Sequence, residues 1–347
     1  MTSKPQKHLN PHAKPPEKIR ELYKKCQKLK PDELADSPLI LDMERNDLKT
    51  NSHISIVGEM TEDIDSIFQI YADNYQSSSP KAVYPISIYA HDAVPGLRLV
   101  PNLIPRSVQI ALLNKLIHRD LSNPLHKSNV HLHHNVTYVQ NEASFFSVSP
   151  SSDLTFTPKD PSIHKPISIS QFLNKKLRWI TLGGQYDWTN KIYPEENPPA
   201  FPEDTADLLK GLFPELTPQA AIVNFYSPGV TLSLHRDVAE ECDRGLLSVS
   251  IGCDGIFILG LESEDSQKDD IKAIAIRLRS GDAVYMDGKS RFAWHGVPQI
   301  VGNTCPDWLR DWPAGGKEVG GVGIKYEDWR GWMGNKRINL NVRQMWD

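Results

Sequence analysis

Cysteine is scarce in this chain: Cys26, Cys242, Cys253 and Cys305 lie far apart among 347 residues and form no Cys-x-x-Cys pair. A disulfide-built scaffold or a structural zinc site is therefore not expected, and a reducing compartment is. No run approaches the ~18–20 consecutive apolar residues of a membrane-spanning helix, so no membrane partner is expected. The first thirty residues also lack an apolar stretch of the secretory type, and no signal peptide is expected. Neither sign of charge dominates, with 39 Lys and Arg against 43 Asp and Glu. Nor does a Gly-x-Gly-x-x-Gly turn sit between a strand and a helix; the glycines between 315 and 323 read as loop. What is present is an ordinary globular composition, 39% apolar and 24% charged, enough for one large or two modest domains. The 26 prolines and 21 glycines point to many turns and long loops rather than a helical bundle.

The charge is unevenly spread. Nine Lys/Arg and two Glu fall between Met1 and Lys30, a local +7 in a chain whose net charge is −4. Such a tail suits contact with a polyanion or a nuclear signal, and equally a solvated, partly disordered terminus. A location in nucleus or cytoplasm is expected; with a single Arg, the tail is a poor mitochondrial presequence.

Three regions follow from the pattern. Residues 1–30 form the basic tail, with one amphipathic helix over Glu17–Leu29. Residues 31–175 form an N-terminal extension and helical support region, in which Gly96–Val100 reads as a strand and Ile104–Leu121 as a helix. Within it, residues 122–176, rich in Ser, Pro and His, read as a long surface segment. Residues 176–347 form the main domain. Its short β-type runs (Ala221–Tyr226, Thr231–Asp237, Leu246–Gly252, Gly255–Gly260, Lys272–Leu278, Ala283–Met286 and Arg337–Arg343) are separated by Gly, Pro and Asp turns. Such a series without intervening helices predicts a mainly β fold with flanking helices, a sandwich or jelly roll.

His235-Arg236-Asp237 is the first candidate for chemistry. The same tripeptide occurs at His118-Arg119-Asp120, but in a helical stretch, where residues two apart point ~200° away from each other. His235 instead ends the alternating run Thr231-Leu-Ser-Leu234. Period two places Thr231, Ser233, His235 and Asp237 on one face, so an imidazole and a carboxylate project together. They supply two of the three ligands of a 2-His-1-carboxylate Fe(II) site. The third must be a later His, and His295 is the one His downstream.

Arg337-Ile-Asn-Leu-Asn-Val-Arg343 alternates as well, with Arg337, Asn339, Asn341 and Arg343 on one face. A half-exposed strand has this pattern, and so does a dicarboxylate clamp, because Arg forms paired hydrogen bonds to carboxylate. Iron beside such a clamp implies 2-oxoglutarate as co-substrate.

Four stretches in order, Asn224-Phe-Tyr-Ser-Pro-Gly-Val-Thr-Leu-Ser-Leu-His-Arg-Asp237, Leu247-Ser-Val-Ser-Ile-Gly252, Ser290-Arg291 leading to His295, and RINLNVR, closely resemble the AlkB family of Fe(II)/2-oxoglutarate dioxygenases. The resemblance covers roughly residues 175–345. Pro95–Asn102 and the forty-odd residues between His295 and Arg337 resemble the eukaryotic branch typified by human AlkB homologue one. The resemblance implies a double-stranded β-helix (jelly roll) core, with Fe(II), 2-oxoglutarate and O2 as cofactors. It makes His235, Asp237 and His295 the iron ligands. It gives Arg337 the distal carboxylate of 2-oxoglutarate, with Tyr226 and Asn339 beside it, and sets Asn224 and Arg343 towards the keto-acid end or the substrate. Trp179 matches a Trp that stacks on the target base in the bacterial enzyme, and Tyr186 is placed near it; both residues also suit a core position. The acidic residue two after the metal Asp in the bacterial pattern is Ala239 here, and Glu240 follows, so Glu240 becomes the expected base contact.

The leading expectation is a monomeric nucleic-acid dioxygenase acting on methylated RNA, tRNA above all, or DNA, supported by the basic tail and Lys175-Lys-Leu-Arg178. The alternatives are a hydroxylase or demethylase of histone or ribosomal protein with the same iron centre, which the acidic body favours, and a binding module without turnover.

Overall fold

The computed structural model describes residues 9–10, 12–44, 51–72, 83–140, 143–187, 192–194, 198–262, 271–317 and 324–346. Residues 1–8 of the expected tail, and 318–323 of the expected glycine-rich loop, lie outside them. The tail's helix, α1 (Glu17–Lys28), is present. Its apolar residues recur at helical spacing, and Ile19 and Cys26 are fully buried, with Leu22 and Tyr23 packed beside them. They meet Ile256, Ile258, Ala275 and Trp294 in a second apolar core. This end of the tail is thus packed into the protein.

The strands of the two large sheets, in chain order, are β1 (Ile40–Asp42), β2 (Ile54–Met60), β3 (Ile86–His91), β4 (Leu97–Val100), β5 (Trp179–Gly183), β6 (Ala220–Tyr226), β7 (Leu232–His235), β8 (Leu246–Gly252), β9 (Gly255–Leu261), β10 (Lys272–Leu278), β11 (Ala283–Met286), β12 (Trp294–Ile300) and β13 (Arg337–Arg343). A major sheet runs in the order β2-β3-β4-β11-β8-β13-β6-β5, and a minor sheet in the order β1-β10-β9-β12-β7. Except for β1, parallel to β10, the pairings are antiparallel. The two sheets build the jelly roll, and strands from residues 31–100 extend both.

The pleat sorts the side chains. On β13, Ile338, Leu340 and Val342 are at most 1% exposed. They enter the main core with Val108 and Leu112 of α2 (Arg106–Leu113) and Leu208 and Leu209 of α3 (Glu203–Leu212). The opposite face of β13 carries Arg337, Asn339, Asn341 and Arg343, and its neighbours continue those rows. Tyr226, Arg337 and Gly252 lie side by side, as do Trp179, Asn224, Asn339 and Ser250.

Two expectations need correction. The helix expected over Ile104–Leu121 starts at Arg106 and, from Asn114 to Asp120, continues in a π-helical register. There His118 stacks on Trp312 and Tyr326 and bonds to Ser144 Oγ at 2.7 Å, so the second His-Arg-Asp is structural. Residues 122–176 are not a surface segment. Phe145, Phe146, Phe156 and Phe172 are at most 2% exposed, and ring packing among Phe145, Phe156 and Phe172 holds the polar chain against the core. A few large rings outweigh many small polar residues, because each aromatic buries 150–250 Å².

Candidate active site

The minor sheet sets His235 and His295 opposite one another as a register pair of β7 and β12. The close approach needs Gly296: a Cβ there would lie 2.8 Å from the Leu232 carbonyl oxygen. The imidazole centroids are 4.3 Å apart. β7 ends at His235, so Asp237 lies beyond the strand that alternation predicted. Its carboxylate nevertheless converges, with Oδ1 3.6 Å from His235 Nε2 and Oδ2 3.9 Å from His295 Nε2. The three ligand atoms all lie within 4.8 Å of one another.

The imidazole tautomers are fixed from behind. His235 Nδ1 donates to the Ser233 carbonyl at 2.9 Å and His295 Nδ1 to the Ala293 carbonyl at 3.0 Å. Both Nε2 lone pairs are thereby turned to the shared centre, the arrangement a metal-binding His requires. Burial, and then the neighbouring His235, lower the His295 pKa to about 4, keeping the ring neutral. Burial opposes ionisation of Asp237, but the Arg343 guanidinium, followed by the two imidazoles, outweighs it and holds the carboxyl well below the usual range. His295 Nε2 is buried and has no hydrogen-bond partner, as expected of a metal ligand.

Arg337 is 2% exposed, and its Nη2 donates to Ser250 Oγ at 2.7 Å. Its Nε and Nη1 are buried without a partner, and so is the hydroxyl of Tyr226 opposite it. Gly255 makes the room: a Cβ there would lie 2.6 Å from Arg337 Nε. An uncompensated buried guanidinium costs several kcal/mol, so the arrangement is complete only with an anion. The donors left over, two N–H groups of Arg337 and the phenol of Tyr226, fit a carboxylate.

Asn339 lies between these two ends; its Nδ2 donates to Ser248 Oγ at 2.7 Å and to the Val249 carbonyl at 3.1 Å. Asn224 sits beside it in the next strand, paired on its other side with Trp179. Arg343 stands at the metal end. It donates to Asp237 Oδ2 at 2.7 Å and to the Tyr193 hydroxyl at 2.9 Å, and its Nε is 3.2 Å from Glu240 Oε1.

Glu240, expected at the base, is turned inward. Its side chain is 2% exposed, wedged between Arg343 and Arg291, whose Nη2 is 2.8 Å from Oε2. The two buried guanidiniums compensate the buried carboxylate, which would be costly without them. Arg291 also donates to the Asp237 backbone carbonyl at 2.9 Å, fixing the loop that carries the metal carboxylate. The sequence presents Arg291 only as part of the Ser290-Arg291 stretch, without a role of its own, and does not single out Tyr193.

Trp179 and Tyr186 line one cavity of about 600 Å³, with Lys127, His131, Tyr138, Thr181 and Lys159 among its other walls. Tyr193 links it to the iron centre: its ring packs 5.1 Å from Tyr186 while its hydroxyl accepts from Arg343.

The sequence pattern of the 2OG-Fe(II) oxygenase superfamily matches residues 96–343. The chain is a 2OG-Fe(II) oxygenase. Within that superfamily its relatives are AlkB-type enzymes. The "N6-methyladenosine RNA demethylase ALKB1" of Pyricularia oryzae is 45% identical over 97% of this chain and 98% of its own. The "N6-methyladenosine RNA demethylase ALKBH" of Cryphonectria parasitica is 54% identical over 63% of this chain and its own entire length. The "tRNA demethylase abh1" of Schizosaccharomyces pombe is 36% identical over 74% and 82%. This oxygenase therefore uses Fe(II), 2-oxoglutarate and O2; the converged triad fits the metal, and the unpaired donors of Arg337 and Tyr226 fit a carboxylate.

Proposed function

We propose that this dioxygenase removes methyl groups from bases of RNA, tRNA above all, with DNA as the secondary substrate. The observation that carries the reading is the cavity lined by Trp179 and Tyr186, joined to the metal carboxylate through Tyr193 and Arg343. The relatives support it: two carry RNA N6-methyladenosine in their names and a third tRNA.

When bound, Fe(II) and 2-oxoglutarate supply the oxidation, in which O2 is consumed, the 2-oxo acid leaves as succinate and CO2, and one oxygen atom enters the methyl C–H bond. The resulting N-hydroxymethyl group expels formaldehyde as its O–H proton passes to the nitrogen. His235, Asp237 and His295 hold the metal, and Arg337 with Tyr226 holds the distal carboxylate of the co-substrate. Arg343 keeps the Asp237 carboxylate ionised and oriented. The His235 side chain is 37% exposed against 4% for His295, so the base arrives from the His235 side. Leaving its stack costs the base a few kcal/mol, and the Trp179 ring offsets part of that. Lys127 and Lys159 at the cavity meet the phosphate charge.

The test incubates the iron-loaded enzyme, 2-oxoglutarate and total tRNA, followed by mass spectrometry of nucleosides, with Asp237→Ala as the inactive control. Loss of a methylated nucleoside together with formaldehyde release is expected. An unchanged nucleoside profile, with succinate released on histone or ribosomal peptides instead, would overturn the proposal.

A further inference from the structure

The strand that delivers His235 is poorly secured by its own ladder. β7 is four residues long, lies at the edge of the minor sheet, and pairs with β12 at Leu232↔Val297 and His235↔His295 with a register shift between them. An edge strand with an irregular ladder has little intrinsic hold on its last residue. Metal ligands tolerate small displacements only, so something else fixes His235.

Arg236 follows His235, and Trp294 precedes His295. The Arg236 guanidinium lies 4.4 Å from the centre of the Trp294 ring. Trp294 Nε1 donates to Glu262 Oε1 at 2.6 Å, and the same oxygen is 3.8 Å from Arg236 Nη1. Trp294 itself belongs to the second core, under α1, on the side of the sheet away from the iron centre. From α1, Tyr23 donates its hydroxyl proton to the Leu232 carbonyl at 3.1 Å, on the same short strand. A charge, a ring and a carboxylate thus join the residues next to the two histidines, back to back with the triad.

We propose that Arg236, Trp294 and Glu262 form a bridge that positions His235 and His295 for the metal. They are positioning residues: Arg236 and Trp294 each act through the histidine beside them, and Glu262 acts through those two. A guanidinium stacked on indole, with its counter-charge on the indole N–H, fixes the lateral spacing of two strand ends that backbone pairing leaves loose. Losing groups that orient a metal ligand lowers metal affinity about 10–100-fold. The inference rests on the iron triad and is independent of which nucleic acid is demethylated.

The experiment titrates the metal-free, full-length protein with Co(II), followed by its visible absorption, and compares Arg236→Leu, Arg236→Lys, Trp294→Phe and Glu262→Ala. The Glu262 side chain is 49% exposed, so its removal leaves the fold intact. Co(II) affinity is expected to fall at least tenfold in Arg236→Leu and severalfold in Glu262→Ala, with partial rescue in Arg236→Lys. Metal affinity is the deciding readout, because a merely structural bridge lowers the unfolding midpoint and leaves the Co(II) dissociation constant where it was. Wild-type affinity in both Arg236→Leu and Glu262→Ala overturns the proposal. Should Arg236→Leu fail to fold, unchanged affinity in Glu262→Ala and Trp294→Phe overturns it equally. Failure of the wild-type protein to bind Co(II) would count against the triad itself rather than the bridge.

Discussion

Arg337→Met should move stability and co-substrate affinity in opposite directions. The guanidinium is 2% exposed, with one hydrogen bond to Ser250 and two nitrogens unpartnered. Burial lowers its pKa, the mark of a charge held where solvent does not reach. Replacing an uncompensated buried charge by an apolar chain of similar length removes a desolvation cost of several kcal/mol and gives up one hydrogen bond worth about 1.5–3 kcal/mol. The metal- and co-substrate-free variant is therefore expected to gain about 2 kcal/mol, or roughly 3 °C in Tm. Its 2-oxoglutarate loses a charged partner worth about 3–5 kcal/mol, a rise in Kd of about 10²–10⁴. The wild type at a hundred times its Kd gains about 2.7 kcal/mol from the ligand, and the variant at the same concentration should gain almost nothing. Thermal unfolding with and without 2-oxoglutarate, and calorimetric titration, read both effects on one preparation. A variant that melts lower than wild type and binds 2-oxoglutarate within threefold of it would refute the assignment of Arg337 as a cation awaiting its anion.

Glu240→Ala removes the carboxylate between Arg343 and Arg291 and should destabilise the fold by about 3–5 kcal/mol, with relative rates on different methylated bases unchanged; altered base preference at full stability would restore Glu240 to the substrate. Trp179→Ala should raise KM for RNA by a factor matching about 1–3 kcal/mol of lost stacking while KM for 2-oxoglutarate stays fixed, as steady-state kinetics on a methylated oligonucleotide would read. Lys336 has its pKa lowered to about 8 by burial and then by the nearby Arg178 charge. The unfolded chain therefore binds the extra proton between pH 8 and about 10.5, and wild-type stability should rise with pH across that window relative to Lys336→Met, by roughly 3 kcal/mol in all. Denaturant unfolding of the two proteins at several pH values reads the difference, and a constant gap would contradict a desolvated lysine.

The metal triad was legible because strand alternation and the scarcity of later histidines leave few ways to complete a ligand set. Alternation alone aligns Asp237 only if the strand runs two residues further than it does. The loop past His235 brings the carboxylate in because Arg343 and Arg291 pull on it, and those forces act between residues 54 and 106 positions apart, where no periodicity reports them. Glu240 was misplaced for the same reason: a sequence shows an acid after a metal ligand and does not show the two arginines that bury it. Residues 122–176 looked like surface because polar residues outnumber the phenylalanines that decide their position. Spacing alone names no partner for Arg337 and no role for Trp179; the structure adds that the first is a buried, incompletely partnered cation and that the second lines a cavity.

β13 behaves as a ruler. Six residues of extended chain set the Cα atoms of Arg337 and Arg343 about 20 Å apart, one guanidinium buried with unpartnered nitrogens and one bonded to the Asp237 carboxylate. Because both stand on the same side of one ribbon, neither can be shifted alone. Inserting or deleting a single residue between them would swing one arginine into the greasy layer of Ile338, Leu340 and Val342 while the other stayed put. A substitution at the rim leaves this spacing alone, whereas any change in the number of residues between the two arginines breaks it.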